Sequence, residues 1–551
     1  MGCGECVLRL ALLFGGAFAL WFAARSCCRR HILDKIPGPR SKSFITGNMS
    51  QFFGSESIPF QQDIVKTFAS GVIKLHGIFG RPVLYVYDPK ALHAVLVRDS
   101  DSFEQSERLI SINKALVGPG MVATVEGHHR AQRKMLNPIF TANRMRCLLP
   151  ICYDIGFTVS DTMAALLVSG PRQLDILSWT TRVALETIGR GGLGHSFDPL
   201  VDDRRCEFGS VVVNLLPSIA RLGQWMGAVP FIHRMPLPIR QCLSFISLIK
   251  AGHELRLVMD TIISYGKRIA DARKVALQEG DMLMANQLAR GDDFISTLMK
   301  ANMAAPEEDR LPEKEVIAQT SVLLVTATDT TASSIARILE LLARYPVAQE
   351  RLRTETIDAW RDGDITYGRL MQLPYLDAIF RETMRLRVYP PANWVIRDAK
   401  KDTVLRLSTP IVSQDGTLIH EIPVPKGCEV IIGVLGANTS KHVWGEDALE
   451  WKPERWLDPL PSAVPRKTLP GVSPNLMSFS GGNRACIGWR FAEMEIKAML
   501  SILLPRFTFA PAEEEIVWKA AHVVFPTIRQ DAITPQLPLR VGLYNVAALM
   551  P

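Results

Sequence analysis

Apolar residues recur at three- and four-residue spacing along most of this chain. The pattern runs through Phe245 to Ile269 and again through Val316 to Leu342, and such spacing is typical of helices. Short β-like runs such as Val83 to Tyr87 and Val430 to Leu435 are fewer. Gly280 to Pro312 is rich in charged and small residues, which indicates an exposed connection. The pattern predicts a mainly α fold with small β-sheets.

A segment of membrane length lies at the start of the chain. Leu10 to Ala24 carries no charge and approaches the ~20 apolar residues that cross a bilayer as a helix. Basic residues follow from Arg25 to Lys35, whereas Glu5 precedes the run. This asymmetry predicts a single-pass anchor in the lipid bilayer over residues 1–30, with the main domain, residues 31–551, in the cytosol. A cleaved signal peptide, the alternative, would carry its basic residues before the apolar run.

Length and composition favour one large globular domain after the anchor. The chain has 551 residues, of which 47% are hydrophobic and 21% charged, so it can bury a sizeable core. No long Gly/Ser-rich or Pro-rich linker divides it. The net charge of +8 is modest for this length, and basic residues are interleaved with acidic ones, so nucleic-acid binding is not indicated.

The cysteines indicate neither a disulfide scaffold nor a structural zinc site. There are ten, and the close pairs, Cys3-x-x-Cys6 and Cys27-Cys28, flank the apolar N-terminal run. A single CxxC is a weak metal or redox signal, and a low density of cysteines is typical of a reducing compartment. Five scattered cysteines are expected to be buried and to fill space: Cys147, Cys152, Cys206, Cys242 and Cys428.

One loop combines a cysteine with the residues that a metal-bound thiolate requires. The run from Phe479 to Gly488 reads Phe-Ser-Gly-Gly-Asn-Arg-Ala-Cys-Ile-Gly. Gly482 and Gly488 permit the backbone to pass close to a flat macrocycle, and main-chain N–H groups in such a loop can point at the Cys486 sulfur. Arg484 offers a planar donor fork that suits a carboxylate.

This run resembles the haem-binding loop of cytochrome P450 enzymes, Phe-x-x-Gly-x-Arg-x-Cys-x-Gly, at every fixed position. The resemblance implies that Cys486 is the thiolate ligand to the iron of haem b and that Arg484 pairs with a haem propionate. It implies that Phe479, Gly482 and Gly488 belong to the cofactor site. It also implies the fold of that family, with haem between a distal helix and the cysteine loop.

An acidic and a basic residue upstream resemble the family's Glu-x-x-Arg pair. Glu382 and Arg385 share one helix face at this spacing, although such pairs are common on exposed helices and contribute little there. Pro390-Pro391 follows, and Pro453-Glu454-Arg455-Trp456 is similar to the family's Pro-Glu-Arg-Phe segment. The resemblance implies that Arg455 completes a buried Glu-Arg-Arg network.

The segment Thr326-Ala327-Thr328-Asp329-Thr330-Thr331 is similar to the family's Ala/Gly-Gly-x-Asp/Glu-Thr-Thr segment in its distal helix. The resemblance implies that Asp329 and Thr330 are the acid and alcohol that relay protons to dioxygen. Ala327 stands at the usual glycine position and Thr326 at the preceding small one, so the groove is expected to be tighter or more polar. The alternative for such a stretch is hydroxyl groups that only bond their own helix carbonyls.

Further propionate partners follow from the same resemblance. His129 and Arg133 fit the family's Trp/His-x-x-x-Arg pattern, with histidine in place of the commoner tryptophan. Arg397 occupies the family's arginine position after the proline pair. Isolated surface residues are the ordinary interpretation of any such His or Arg, and it is their order relative to the cysteine loop that favours the propionate role.

The resemblance implies a monooxygenase that hydroxylates a lipophilic small molecule with O2. It implies NADPH-cytochrome P450 reductase as the electron donor and, with the anchor, the endoplasmic reticulum membrane as the location. The segments Trp444 to Ala448 and Trp451 to Leu457 most resemble fungal members, many of which act in terpenoid or other secondary-metabolite pathways. The pocket walls are expected near residues 322–330, 393–396 and 521–525.

Two other functions remain open at this point. A haem-thiolate isomerase or dehydratase on the same fold would act without a reductase, but it would need no proton relay such as Asp329 and Thr330. A non-enzymatic haem sensor would need only the thiolate ligand and no substrate-sized distal cavity. These alternatives predict different requirements for NADPH, oxygen and substrate.

Overall fold

The computed structural model describes residues 32–54, 57–223, 247–278, 293–386, 396–413, 415–457, 468–473, 475–520 and 523–544. The predicted anchor, residues 1–30, lies outside these ranges, and the division between it and residues 31–551 stays a prediction. Cys242, the proline pair Pro390-Pro391 and the pocket-wall residues 393–395 and 521–522 also lie outside them.

The described part of the chain is mainly helical, which confirms the predicted class. Its helices are α1 (Met49–Phe53), α2 (Ser57–Phe68), α3 (Pro89–His93), α4 (Glu107–Val117), α5 (Glu126–Leu136), α6 (Ala142–Leu166), α7 (Ile176–Thr187), α8 (Glu207–Val212), α9 (Leu215–Gly223), α10 (Ser247–Gln278), α11 (Phe294–Ala304), α12 (Glu313–Arg344), α13 (Pro346–Trp360), α14 (Tyr367–Gln372), α15 (Pro374–Leu386), α16 (Val434–Thr439), α17 (Lys441–Trp444) and α18 (Trp489–Arg506). The two long apolar patterns correspond to α10 and α12, each of 32 residues.

Short strands form small sheets, also as predicted. They are β1 (Val72–His76), β2 (Pro82–Val86), β3 (Phe103–Gln105), β4 (Arg172–Asp175), β5 (Ile396–Ala399), β6 (Thr403–Val412), β7 (Leu418–Val424), β8 (Glu429–Ile432), β9 (Gly471–Ser473), β10 (Leu476–Gly481), β11 (Phe507–Pro511), β12 (Val517–Ala520), β13 (Val524–Thr527) and β14 (Pro538–Leu543). The largest described sheet has the order β1-β2-β8-β5-β3, and a second has the order β11-β14-β4. The pairs β6–β7, β9–β10 and β12–β13 are antiparallel.

Helix α12 forms the centre of the helical core. It packs on α7, α10 and α18 and against β11. In the described part of the chain, the segment Glu307–Arg344 is the one helical stretch long and apolar enough to cross a membrane, but 72% of its apolar window is buried inside the protein. Its apolar length therefore reflects burial within a globular core.

Two sequence predictions differ from the structure. The predicted connection from Gly280 to Pro312 contains helix α11, whose first turn is capped by Asp293 accepting from the Ser296 backbone N–H at 2.8 Å. Phe294 and Leu298 bury one face of that helix. The β-like run that begins at Val430 ends at Ile432, where β8 stops and α16 follows.

The prediction for the scattered cysteines is right for some and wrong for one. Cys152 and Cys428 are buried, and Cys206 is half-buried. Cys147 is exposed, because it lies on the solvent side of α6 while Leu148 faces the core. Helical periodicity, not residue type, therefore decides the burial of Cys147.

Candidate functional site

The cysteine loop is a tight turn between strand β10 and helix α18. The Cys486 backbone N–H donates to the Phe479 carbonyl at 2.9 Å and closes the loop. Ser480 and Gly482 have φ of 57° and 67°, and a Cβ at Gly482 would lie 1.8 Å from the Leu96 carbonyl oxygen. The glycine at 482 is thus required by the protein's own backbone, before any cofactor is considered.

Cys486 keeps exposed side-chain surface at the end of this loop. The protein packed around the sulfur partly desolvates the thiol and raises its pKa, whereas a backbone hydrogen bond from Gly488 and the charge of Arg133 lower that pKa. The Arg133 Nη1 group donates to the Ala485 carbonyl at 2.7 Å. Metal coordination deprotonates a thiol outright, so a backbone N–H and an arginine beside the sulfur suit a thiolate ligand.

The glycine at 488 has a looser environment than the one at 482. A Cβ there would meet the Phe140 ring at 3.7 Å, an ordinary contact. Phe479, the first residue of the motif, is buried, and its ring stacks on Phe380 with the centroids 6.4 Å apart. The expected closeness of Gly488 to a macrocycle stays a prediction.

Four basic side chains from three separate segments converge beside the loop. His129 and Arg133 lie one turn apart on α5, Arg397 is on β5 and Arg484 is in the loop. Burial, followed by the charges of Arg484 and Arg133, lowers the pKa of His129 to about 3. Burial and Arg484 lower the pKa of Arg397 to about 10. These shifts show positive charges held close together in a partly desolvated site.

The charge of this cluster suits carboxylate ligands. Arg133, Arg397 and Arg484 contribute three positive charges, and Glu104 contributes a negative charge through a salt bridge of 2.7 Å to Arg484. Burial keeps His129 neutral. Positive groups therefore predominate in the described part of this site. Haem b has two propionates, so the donor set fits this cofactor.

In the middle of helix α12, the predicted alcohol lies on a partly accessible strip and the predicted acid is buried beside it. Residues 325–327 and Thr330 keep accessible surface, whereas Asp329 is only 6% exposed. Burial raises the pKa of Asp329 to about 7. This carboxyl group can therefore hold a proton at neutral pH and release it.

The threonines of this helix bond its own carbonyls, as the alternative interpretation predicted. The Thr326, Thr328 and Thr330 hydroxyls donate to carbonyls four residues earlier at 2.6–2.8 Å. Such bonds compete with the helical ladder. Thr330 uses its proton on the Thr326 carbonyl, and its oxygen can still accept a hydrogen bond.

A second buried assembly lies behind the cysteine loop. The Arg385 Nε and Nη2 groups donate to Glu382 Oε2 and Oε1, both at 2.8 Å, and neither side chain is exposed. The Arg385 Nη1 group donates to the Asn438 and Ala448 carbonyls, both at 2.7 Å. Helix α15 is thereby tied to the segment that precedes the cysteine loop.

Arg455 lies against this pair but finds its hydrogen bonds elsewhere. Its Nε group lies 3.5 Å from Glu382 Oε1, whereas its Nη1 group donates to Asp447 Oδ1 at 2.8 Å. Glu382 also accepts from the Lys452 backbone N–H and from the Trp456 indole N–H, both at 3.0 Å. The sequence motif gave no signal for Asp447, and the tryptophan in place of the family's phenylalanine supplies an extra donor.

A Trp456→Phe variant is expected to lose about 1.5–3 kcal/mol of unfolding free energy, because it removes a hydrogen bond to a buried charged carboxylate and leaves the ring packing in place. Denaturant unfolding and haem content measure the effect. Trp518→Phe is the matched control for haem content, since the Trp518 indole donates to another carboxylate, Glu340, at 3.1 Å, outside this assembly. Equal stability of Trp456→Phe and the parent would contradict the role given to the indole N–H.

Comparison with known proteins decides the family. A model described as Cytochrome P450 matches residues 37–528. The chain belongs to the cytochrome P450 family. The resemblance drawn from the cysteine loop is thereby confirmed.

Its relatives cover almost the whole chain. It is similar to cytochrome P450 monooxygenases 219 and 81 of Postia placenta, each 42% identical over 97% of this chain and over 99% and 97% of their own lengths. It is 36% identical to a ganoderic acid synthetase of Ganoderma lucidum over 97% of this chain and 98% of that protein. The chain is an oxidoreductase of the monooxygenase class, with haem b as its cofactor.

Proposed function

We propose that this P450 hydroxylates a lipophilic small molecule in fungal terpenoid metabolism, with electrons from NADPH-cytochrome P450 reductase. The observation that carries the oxygen chemistry is the buried Asp329 carboxyl, with a pKa of about 7, beside Thr330 on the accessible strip of α12. The similarity to a ganoderic acid synthetase supports the terpenoid class, since ganoderic acid is a terpenoid. P450 monooxygenases as a class take electrons from a reductase and act on lipophilic substrates.

The residues divide the work between holding the cofactor and moving protons. Cys486 would supply the thiolate, and His129, Arg133, Arg397 and Arg484 would hold the propionates. Haem b held by a thiolate activates O2 so that one oxygen atom can enter a C–H bond.

Protons would pass to the distal side from Asp329 through Thr330. The acid is protonated in half of the molecules at a pH near its raised pKa, which is where a general acid works best. For this relay the Thr330 hydroxyl would turn away from the Thr326 carbonyl, so that its oxygen accepts a proton from the acid while it donates its own proton to the distal side. Val322 and Phe525 of β13, both buried, belong to the expected pocket walls and would suit a lipophilic substrate.

An Asp329→Asn variant is expected to form product about 100- to 10,000-fold more slowly, the usual contribution of a positioned proton donor, with substrate binding retained. In the parent, the rate should fall as pH rises through about 7, because the donor must be protonated. The amide variant should lose this limb of the pH profile. Product formation and the substrate-induced spin shift across pH are the measurements, with exposed Asp309→Asn as the control. An unchanged pH profile in Asp329→Asn would remove this residue from the relay.

The membrane location belongs to the same proposal. The apolar run within residues 1–30 and the basic residues after it support a single-pass anchor in the endoplasmic reticulum with the catalytic domain in the cytosol. A reductase anchored in the same membrane would then reach the domain by lateral diffusion.

Expression beside a P450 reductase in a host supplied with terpenoid precursors tests the function. Products that gain one oxygen atom, dependent on NADPH and O2, are the expected result of mass analysis. Oxidation of fatty acids or aromatic compounds without any terpenoid product would overturn the substrate class. Turnover of a peroxide substrate without NADPH and O2 would favour the isomerase instead.

A further inference from the structure

Glu104 connects two parts of the basic cluster formed by His129, Arg133, Arg397 and Arg484. It lies on β3, far in sequence from every residue of the motifs, and its side chain is 14% exposed. Its Oε1 atom accepts from Arg484 Nη2 at 2.7 Å, and its Oε2 atom accepts from the Glu126 backbone N–H at 2.9 Å. One carboxylate therefore joins the cysteine loop to the first turn of α5, the helix that carries His129 and Arg133.

The start of α5 needs this external acceptor. Val125, the residue before the helix, provides no side-chain cap, and Glu126 has a φ of 48°. A helix N-terminus leaves backbone N–H groups without partners and favours negative charge. The Glu104 carboxylate satisfies one of these groups and complements the helix dipole. It thereby helps to set where α5 lies relative to the loop.

Glu104 also offsets positive charge in the cluster. Among the described residues, it is the one acidic group whose charge acts on each of His129, Arg397 and Arg484. Its carboxylate therefore neutralises part of the positive charge that would hold the propionates.

We propose that Glu104 is a positioning residue that holds Arg484 and α5 together and, as a negative charge beside the proposed propionate partners, keeps the reduction potential of the haem low. The inference rests on the propionate roles proposed for Arg133, Arg397 and Arg484. An electron is added to the haem on reduction, so any uncompensated positive charge nearby favours the reduced form. At 14% exposure, the charge of Glu104 is only partly screened by solvent.

The test compares the reduction potentials of full-length, haem-loaded variants by spectroelectrochemical titration. Glu104→Gln keeps an oxygen acceptor for the Glu126 N–H but removes the charge. Its equilibrium constant for reduction is expected to rise about tenfold, which is 59 mV for one electron. Glu104→Asp keeps the charge and should keep the potential. Asp101→Asn is the control, because Asp101 is an exposed acid on the same segment that pairs only loosely with Arg130 at 3.3 Å.

Two outcomes overturn the inference directly. One is an equilibrium constant for reduction in Glu104→Gln that stays within about twofold of the parent value. The other is an equal shift of the reduction potential in Glu104→Asp, since the charge of residue 104 would then not be what sets the potential. If Glu104→Gln loses haem, the aspartate variant decides: haem retained at the parent potential supports the charge role, and haem lost as well overturns it.

Arg397→Gln distinguishes a failure of this inference from a failure of the propionate assignment on which it rests. Normal haem content in that variant would overturn the propionate assignment itself. Loss of haem from Arg397→Gln together with an unshifted potential in Glu104→Gln would leave the propionate site standing and overturn only the role of Glu104.

Discussion

A Cys486→Ser variant is expected to lose the spectroscopic signature of a thiolate-bound haem completely, and with it all NADPH-dependent oxidation. Serine keeps the size of the side chain, but its hydroxyl stays protonated at neutral pH and donates far less electron density than a thiolate. The loop would still close, because the Cys486 backbone N–H bonds the Phe479 carbonyl whatever the side chain. The reduced carbon monoxide difference spectrum and product analysis measure the effect.

Cys147→Ser provides the matched control for this variant. Cys147 is a free, exposed cysteine on α6, outside the cysteine loop. Its replacement should leave the haem spectrum and the activity unchanged. A normal thiolate spectrum in Cys486→Ser would show that another residue ligates the iron.

Glu382→Ala and Arg385→Ala are each expected to yield protein without correctly ligated haem. Removing one partner leaves the other charge buried and unpaired, which costs about 3–5 kcal/mol. That is a large part of the ~5–15 kcal/mol that stabilises a typical domain. Arg385 also supplies two bonds of 2.7 Å to the backbone ahead of the cysteine loop. Haem content, the reduced carbon monoxide spectrum and denaturant unfolding are the measurements.

An exposed ion pair with the same i,i+3 spacing serves as the comparison for the effect of burial on the unfolding free energy. Arg361 and Asp358 lie 3.1 Å apart, with side chains 71% and 50% exposed. Arg361→Ala should change the unfolding free energy by less than about 1 kcal/mol, because solvent screens such pairs. If Arg385→Ala behaved like Arg361→Ala and retained normal haem, the buried assembly would not be essential.

This contrast shows what the Glu-x-x-Arg motif can and cannot reveal. The spacing of Glu382 and Arg385 places them on one helix face, and resemblance to the family singles them out from many exposed pairs. Asp447 accepts from Arg455, and the Trp456 indole donates to Glu382. Both residues come from a distant segment that reaches the pair only in the folded chain. Their roles depend on distances that no local pattern encodes.

The same limit applies to the proposed propionate site. His129, Arg133, Arg397 and Arg484 could be proposed from their order along the chain. Glu104 carried no signal, because a single glutamate in a three-residue strand is indistinguishable from a solvated one. Its bonds to Arg484 and to the start of α5 form only when β3, α5 and the loop meet.

The sequence was sufficient for features that arise from near neighbours. Helices α10 and α12 follow from apolar periodicity, and the turn at Gly482 from a backbone conformation that favours glycine. The cysteine loop identified the family, because its ligand and its turn lie within ten residues. Helix α11 departed from the prediction, since its buried face depends on the α10 and α12 surfaces against which it packs.

Tertiary structure alone decided the electrostatics of the site. Asp329 becomes an acid with a pKa of about 7 because packing around α12 removes it from water. His129 stays neutral because burial in the folded protein, and after it the charges of Arg484 and Arg133, lower its pKa to about 3. Desolvation and charge act through space, so residue order along the chain cannot specify them. The sequence was therefore sufficient to propose the haem ligand, whereas the raised pKa of the proposed proton donor required the folded structure.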